Sequence, residues 1–393
     1  MLTAAPATAR RRILLGPGPS EVSARVREAM ARPLLGHLDP EFLGLMTQTQ
    51  DMLRRLFRTT NPLTFPVSGT GSAGMEACFV NLLEPGERAL ICVNGQFGAR
   101  MADVATRTGA DVVSLERPWG KVFDADEIER GLKLHRPKLV AIVHAETSTG
   151  ALQPLSELGR MCREHDALLV VDAVTSLGGL PVETDLWQID AIYSGTQKCL
   201  SVPPGLAPVS FGPRAIQALE ARKRPVQSWY LDITMIQRYW GSERFYHHTA
   251  PISMIYALHE GLRVIEEEGL EKCWERHRRT HGALKAGLEA FGMELVPDSE
   301  NQLPTLNAVR VPRGIDEASL RQRLLSEYGI EIGGGLGEFK GKIWRIGLMG
   351  ESSRSANVGL LLGAMEESLA GMGFGMRDAL TAMEKYLQAQ KAG

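Results

Sequence analysis

The sequence predicts an α/β fold that has a mostly parallel sheet in a large domain and a smaller α/β domain after it. The chain has 393 residues, which is more than one hydrophobic core usually supports. Short β-rich segments alternate with helical patterns from about residue 63 to 211, and beyond residue 253 long charged helices precede short strands. We therefore expect an amino-terminal arm over 1–15, a large domain over 16–270 and a small domain with a terminal helix over 271–393.

The first part of the pattern contains five strand candidates, namely 88–93, 111–115, 138–144, 167–171 and 191–193. Amphipathic stretches lie between them, and one of these, 155–164, has apolar residues at helical spacing. This alternation is typical of a parallel sheet that is covered by helices. The apolar stripes of the helices are therefore expected to pack in the core of the large domain.

The second part of the pattern begins with two long charged helices over 253–268 and 271–291. It continues with two short strands over 305–311 and 343–348 and a helix between them over 317–327. A helical tail over 377–388 follows. Strands that flank a helix in this way predict a second, smaller α/β unit.

Composition and charge are those of an ordinary globular protein, with 23% charged residues and a formal net charge of −2. The short basic runs 10–12 and 222–224 are interpreted as solvated surface, so no nucleic-acid partner and no membrane surface is expected. The apolar runs are too short to span a bilayer. The five cysteines are scattered and lack the close spacing of a zinc site or a redox motif. These features predict a reducing, cytoplasmic location.

A run of small residues from Ser68 to Gly74 follows a strand-like segment and precedes a helical pattern over 75–83. Backbone N–H groups at a helix start, together with the helix dipole, favour a bound anion. The run is not a Walker A loop, because no Lys-Ser or Lys-Thr pair ends it. Taken alone, it is as consistent with a plain strand-to-helix turn as with a phosphate-binding turn.

A carboxylate and an amine follow two further strand candidates. Asp172 comes directly after 167–171, and Lys198 lies five residues after 191–193. Since ligands of open α/β sheets bind outside the carboxyl ends of the strands, both side chains are expected in one crevice. Singly, Asp172 could cap a helix and Lys198 could be solvated. Together with the glycine turn they favour pyridoxal 5′-phosphate, whose aldehyde forms a Schiff base with an amine and whose pyridine nitrogen a carboxylate keeps protonated.

The sequence resembles the class V aminotransferases, a group of fold-type I pyridoxal-phosphate enzymes, and within it the alanine–glyoxylate and serine–glyoxylate or serine–pyruvate aminotransferases. The resemblance runs over most of the chain and is carried by 15–20, 146–150, 172–179, 193–198, 246–249 and 333–337. It implies a seven-stranded-type sheet in the large domain, transamination of small amino and keto acids, and a homodimer.

The resemblance also implies a role for each residue at a matching position. Lys198 is the expected Schiff-base lysine, and Asp172 is the expected partner of the pyridine nitrogen. Val174 is expected on one face of the cofactor ring and Phe97 on the other, where animal members have Trp. A flat aromatic side chain suits that position because it buries area and fixes the ring plane. Thr147 is expected near the phenolic oxygen.

For the cofactor phosphate, the resemblance implies contacts with Thr70, Gly71, Ser72 and Gln197. Ser72 departs from the His of animal members. This difference changes the hydrogen bonds that are offered to the phosphate but not the class of reaction.

Two further residues, Tyr246 and Thr249, are implied to reach the phosphate of the neighbouring subunit, so that each site needs a homodimer. Arg345 is the expected ligand of the substrate α-carboxylate, for which a rigid two-pronged guanidinium is suited. Gly18 is also expected at the substrate. Trp344, next to Arg345, is expected in the core.

The predicted reaction is a two-stage, ping-pong transfer of an amino group from alanine or serine to glyoxylate or pyruvate. Ureidoglycine–glyoxylate and 2-aminoethylphosphonate-type aminotransferases of the same group stay open as alternatives. A cysteine desulfurase is disfavoured because the glycine-rich loop 333–341 has no Cys. A non-catalytic cofactor-binding regulator is disfavoured because no helix-turn-helix segment or basic extension is found. Adjacent His247 and His248 lack the spacing of a metal site, and no metal is expected.

Overall fold

The computed structural model describes residues 11–374 and 378–392, so that Arg10 of the first basic run and Arg377 of the helical tail lie outside the described residues. The helices within these ranges are α1 (Ala24–Met30), α2 (Pro40–Phe57), α3 (Gly71–Leu82), α4 (Gln96–Arg107), α5 (Ala125–His135), α6 (Leu158–Glu164), α7 (Pro213–Glu220), α8 (Ile233–Trp240), α9 (Ile252–Glu268), α10 (Leu270–Ala290), α11 (Glu317–Glu327), α12 (Ser355–Gly371) and α13 (Ala379–Ala392). The strands are β1 (Ile13–Leu14), β2 (Leu63–Ser68), β3 (Arg88–Val93), β4 (Asp111–Glu116), β5 (Leu139–Val143), β6 (Ala145–Glu146), β7 (Ala151–Leu152), β8 (Leu168–Asp172), β9 (Ala191–Tyr193), β10 (Leu206–Phe211), β11 (Leu306–Arg310), β12 (Ile330–Glu331), β13 (Gly333–Gly334) and β14 (Ile343–Gly347).

The main sheet has seven strands in the order β2-β10-β9-β8-β5-β3-β4. Strand β10 runs antiparallel to both of its neighbours, and the remaining pairs are parallel. The predicted α/β fold with a mostly parallel sheet is therefore confirmed. Because β2 and β9 both run antiparallel to β10, they point the same way, and the carboxyl ends of β2, β9 and β8 lie at one edge of the sheet.

The central strands are apolar on both faces because helices cover both sides of the sheet. Every residue of β5 and of β8 is buried. Strand β10, by contrast, was not among the predicted strands. It carries Pro208, which lies opposite Pro66 of β2 in the strand register. Proline cannot donate to a strand ladder and is a signal against an interior strand, which explains why the sequence pattern was weak there.

The two long helices after residue 251 are separated by Gly269. This residue has a φ of +88°, in the left-handed region that glycine adopts without strain. It closes α9 through its backbone N–H, which donates to the Ile265 carbonyl at 2.9 Å, and α10 then begins in a new direction. In the described ranges no helix, including α10 with its 21 residues, is both long and apolar enough to cross a bilayer.

Two large hydrophobic clusters lie in the described residues, beside a small third one around Leu180 and Leu306. The first, here called the sheet core, is formed by the main sheet and the helices around it and runs from Val26 to Cys273. The second, here called the C-terminal core, combines Leu15 with residues between Ala283 and Met383. It includes Trp344, which is fully buried as predicted. Strand β14, which carries Trp344, is the middle strand of the small antiparallel sheet β11-β14-β13.

Candidate active site

A cavity of about 190 Å³ lies at the sheet edge where β2, β8 and β9 end. Eight of the predicted cofactor-binding residues line it, namely Thr70, Gly71, Ser72, Phe97, Asp172, Val174, Gln197 and Lys198. Met75, Arg100 and Tyr193 also line it and were not predicted. The structure thus brings the glycine turn, the carboxylate and the amine of the sequence prediction into one enclosure.

Asp172 is the last residue of β8, and its side chain is almost completely buried. The Val174 backbone N–H donates to its Oδ1 and the Tyr193 hydroxyl donates to its Oδ2, both at 2.8 Å. Burial raises the pKa of Asp172 to about 6, although both hydrogen bonds favour the charged form. The carboxylate is therefore held in one orientation, and its pKa lies close to neutral pH.

Lys198 lies in the loop after β9 and is 7% exposed. Its Nζ donates to the carbonyl oxygen of Pro17. A Cβ added at Gly18 would lie 2.9 Å from Nζ, which shows how closely the amino-terminal segment covers the amine. Burial lowers the pKa of Lys198 to about 8, and the positive charge of Arg345 acts in the same direction. The amine is thus easier to deprotonate than a solvated lysine.

The turn between β2 and α3 forms the other end of the cavity. Gly69 has a φ of +148°, and Thr70 caps α3 without a side-chain hydrogen bond to the helix. A Cβ at Gly71 would lie 3.3 Å from Val174 Cγ2, and one at Gly74 would lie 3.1 Å from Tyr193 Cβ. The small residues therefore allow the start of α3 to approach the ends of β8 and β9, where its free N–H groups favour an anion.

Phe97 and Val174 line the cavity from different elements, α4 and the loop after β8. The backbone N–H groups of Phe97 and Gly98 donate to Glu146 Oε2, at 3.1 and 3.3 Å. Ser148 donates to Glu146 Oε1 through its backbone N–H and its hydroxyl, at 3.0 and 2.6 Å. Glu146, which is 1% exposed, therefore fixes the first turn of α4 and with it Phe97. Glu146 was in a segment of the family resemblance, but no role was predicted for it.

Arg345 lies on β14 and is 7% exposed. Its Nε donates to the Gly334 carbonyl at 2.7 Å and its Nη1 to the Thr147 carbonyl at 3.4 Å. Burial lowers the pKa of Arg345 to about 10, still well above neutrality. In residues 11–374 and 378–392 it forms no ion pair with a carboxylate. A buried guanidinium without a counter-charge is a strong site for an anionic ligand.

Three predicted cofactor-binding residues do not line the cavity. Thr147 is buried, and its hydroxyl shares a hydrogen bond of 2.5 Å with the hydroxyl of Thr175. Tyr246 and Thr249 lie in a surface segment, where their hydroxyl groups are 3.4 Å apart and Tyr246 is half exposed. The structure of one chain therefore places these two residues on the surface rather than in its own cavity.

The adjacent His247 and His248 lie in the same surface segment and contact each other and neighbouring residues. The Nδ1 atoms of His247 and His248 are 2.7 Å apart, and His248 Nε2 shares a hydrogen bond of 2.8 Å with Ser68 Oγ. His247 stacks on Trp229 with ring centres 4.4 Å apart. In the part of the chain that the structure describes, no group of three or more His, Cys, Asp or Glu side chains could hold a metal ion. His248 therefore connects the surface segment to the end of β2, and His247 connects it to Trp229.

Comparison with known proteins adds independent findings. The family model described as aminotransferase class-V matches residues 20–338. The (S)-ureidoglycine–glyoxylate transaminase of Bacillus subtilis is 44% identical over 91% of this chain and 90% of its own. The alanine–glyoxylate aminotransferase of Callithrix jacchus is 41% identical over 91% of this chain and 87% of its own. The crystal structure of alanine–glyoxylate aminotransferase from Nostoc sp. superimposes with a TM-score of 0.93 at 50% identity and covers 94% of this chain and 98% of its own.

These matches extend over nearly all of the described fold, and they include the sheet edge at which the cavity lies. The names of these relatives all describe the transfer of an amino group, although they differ in the amino donor. Both the sequence motifs and the architecture agree with that type. The chain therefore belongs to the class V aminotransferase family and is an aminotransferase.

Proposed function

We propose that this protein is a pyridoxal-5′-phosphate-dependent transaminase that transfers the amino group of alanine or serine to glyoxylate, or to pyruvate, in two ping-pong stages. The observation that carries the proposal is the burial of an amine and a carboxylate, Lys198 and Asp172, in one cavity that ends at the start of α3. The names of the relatives support glyoxylate as the amino acceptor.

The residues of the cavity fit this cofactor. Lys198 supplies an amine for the aldehyde, Asp172 supplies a carboxylate for the pyridine nitrogen, and the turn at Gly71 supplies backbone donors for the phosphate. Gln197 adds a further observation, since its Oε1 is buried and has no hydrogen-bond partner among the described residues. Exchange of the oxygen and nitrogen of that carboxamide would present N–H donors to an anion, and the two orientations are equivalent in shape.

When bound, pyridoxal phosphate supplies an electron sink that stabilises negative charge at the substrate Cα. Asp172 would strengthen this sink by keeping a proton on the pyridine nitrogen, and the hydrogen bonds from Tyr193 and the Val174 backbone fix the orientation of the carboxylate. With the cofactor bound, Lys198 Nζ would take the proton from the substrate Cα and pass it on to the former aldehyde carbon. The lowered pKa of Lys198 suits this role, because a general base works best with a pKa near the operating pH.

The remaining side chains hold the reactants in place. Val174 and Phe97 are proposed to pack on the two faces of the ring, and Thr147 to lie near the phenolic oxygen. Arg345 binds the α-carboxylate of the substrate through its unpaired guanidinium, and Gly18 leaves room beside Lys198 for the substrate backbone. Two-pronged binding at the carboxylate orients the Cα–H bond, which is a large part of what an enzyme contributes to such a step.

A homodimer is part of the proposal, with Tyr246 and Thr249 of one subunit at the phosphate of the other. Large apolar side chains are exposed in the segment that carries them, since Trp229, Phe245 and Tyr246 are each half exposed or more. An exposed cluster of aromatic side chains is typical of a protein interface. We also propose a cytoplasmic location, which the five free and buried cysteines support.

(S)-Ureidoglycine is the second candidate for the amino donor. The relative from Bacillus subtilis that bears this name is 44% identical to the chain, whereas the Callithrix jacchus relative named for alanine is 41% identical. Both names include glyoxylate, so the two candidates differ only in the donor. Arg345 binds a carboxylate that both donors carry and does not distinguish them.

The test is a half-reaction with the purified holoenzyme. Each amino acid of a panel is added alone, and the visible absorption of the bound cofactor is followed. We expect alanine or serine to bleach it and glyoxylate to restore it, and the same panel with Lys198→Ala to show no change. Bleaching by (S)-ureidoglycine alone would favour the second candidate. A chain that binds no cofactor, or that reacts with no amino acid, would contradict the proposed function.

A further inference from the structure

Arg100 lies on α4 at the rim of the cavity, and its side chain is exposed. Its Nη1 is 3.5 Å from Ser72 Oγ, which is a long and weak hydrogen bond. In the described ranges of the chain, its guanidinium has no ion pair with a carboxylate. Most of its donors are therefore free, and they lie beside the turn at the start of α3.

The position of the guanidinium is fixed by an aromatic ring. Its central carbon lies 4.8 Å from the centre of the Phe97 ring, in the geometry of a cation–π contact. Phe97 is held in turn through its backbone N–H by the buried carboxylate of Glu146. A long and otherwise flexible side chain is thus oriented toward Ser72 before any ligand binds, which lowers the entropy lost on binding.

The charges of the cavity leave its phosphate end without a full counter-charge. Of the residues that line it, only Lys198, Arg100 and Asp172 carry charges. Lys198 is in contact with Pro17 and Asp172 is negative, whereas the guanidinium of Arg100 lies 3.5 Å from Ser72 Oγ. A phosphate monoester carries a charge of about −1.5 to −2 near neutral pH, whereas a helix start supplies only about +0.5. A cation is needed at this end, and Arg100 is placed there.

We propose that Arg100 is a ligand of the cofactor phosphate and supplies, beside Ser72, the positive charge that the turn of α3 lacks. The inference rests on the proposed function, since it concerns the same cofactor. It assigns to Arg100 a contact that depends on the phosphate group rather than on the ring of the cofactor. The contact between Arg100 and Phe97 then has a second effect. It connects the residue that binds the phosphate to the residue that is proposed to pack on the cofactor ring.

The test compares two ligands that differ only in the phosphate. The full-length chain is freed of cofactor and titrated with pyridoxal 5′-phosphate and with pyridoxal, with absorbance as the readout. We expect Arg100→Met to weaken the binding of pyridoxal phosphate by about tenfold to a hundredfold, as for the loss of a hydrogen bond to a charged group. The binding of pyridoxal should change little. Arg100→Lys keeps the positive charge but lacks the planar guanidinium. Its affinity for pyridoxal phosphate should therefore lie between that of Arg100→Met and that of the unchanged chain.

Arg107→Ala is the matched control, because Arg107 lies on the same helix, is exposed and is paired with Asp103. It should leave both affinities as in the unchanged chain. Equal weakening of both ligands by Arg100→Met would overturn the inference, since Arg100 would then act only through Phe97. Unchanged affinities would overturn it as well. If the unchanged chain bound neither ligand, the proposed function itself would fail, and this result is distinct from a defect confined to the variants.

Discussion

The two ends of the cavity consist of different kinds of groups. At the ring end, Asp172 and Lys198 are 3% and 7% exposed, and burial brings their pKa values to about 6 and about 8. At the phosphate end, Thr70, Ser72 and Arg100 are exposed, and the backbone of α3 offers the donors. The first end depends on desolvated side chains, whereas the second depends on main-chain geometry and one cation at the rim.

This difference separates two tasks. Buried charges change proton affinities by large amounts, because water does not screen them. The ring end is therefore suited to chemistry, in which a proton must move at neutral pH. Exposed donors and a helix start change proton affinities little but hold an anion well. We expect substitutions at the ring end to reduce the rate of reaction and substitutions at the phosphate end to reduce the retention of the cofactor.

The largest effect is expected for Lys198→Ala. The variant lacks both the amine that binds the aldehyde and the base at Cα, and turnover should fall by about four orders of magnitude, the upper range for loss of a positioned acid–base group. Steady-state turnover with alanine and glyoxylate measures it, and Lys133→Ala, on the exposed face of α5, is the control. Turnover near that of the unchanged enzyme would show that the ring end does not carry the chemistry.

Asp172→Asn should come next. The amide matches the shape of the carboxylate but lacks its charge, so the cofactor should remain bound while the reaction slows by about a hundredfold to a thousandfold, as when one electrostatic group is removed from an active site. Single-turnover rates and the amount of cofactor after gel filtration separate the two quantities. Loss of cofactor at an unchanged rate would reverse the assignment of tasks to the two ends.

Glu146→Gln tests whether the ring end needs its buried anchor. Glu146 accepts four hydrogen bonds, and a carboxamide would face donors with its own N–H groups. We expect the free energy of unfolding in urea to fall by about 1–3 kcal/mol, the usual cost of an unsatisfied buried group. Glu157→Gln makes the same change at an exposed position and should stay within about 0.5 kcal/mol of the unchanged protein. Equal stability of the two variants would contradict the anchoring role.

The smallest effect is expected at the phosphate end for Gln197→Ala. One neutral hydrogen-bonding group is removed, so the affinity for pyridoxal phosphate should fall by about threefold to tenfold, and the rate of the loaded enzyme should not change. Equilibrium dialysis of the cofactor measures the affinity, with Gln217→Ala on the exposed side of α7 as the control. A slower reaction of the fully loaded enzyme would show that a residue at the phosphate end also affects the rate, which would contradict the separation of tasks between the two ends.

The parts of the site that could be predicted are those that local sequence determines. Strands β3 and β9 have the predicted bounds, and Asp172 ends β8 and Lys198 follows β9 at the expected edge of the sheet. Each of these predictions needed only a short apolar run and the residue after it. Strand β10 carries a proline, which weakens this local signal, and it was missed although it pairs with a strand on each side.

The parts that could not be predicted depend on contacts between distant segments. Arg100 contacts Phe97 on its own helix, but its place at the phosphate end depends on the approach of Ser72 from α3. Among the four hydrogen bonds that Glu146 accepts, the two from Ser148 are local in the sequence. Its other donors come from α4, and the depth of its burial depends on the packing of α4 against the sheet. Tertiary geometry of this kind has no local signature in the sequence.

The contact between Pro17 and Lys198 has a consequence for how the protein is made. Strand β1, just before Pro17, pairs with β12, and Leu15 packs in the C-terminal core. These partners leave the ribosome at least 85 residues after Lys198 does. Pairing between the beginning and the end of a chain closes slowly and late. A chain that stops before β12 therefore lacks the strand that pairs with β1, next to the segment that covers the amine.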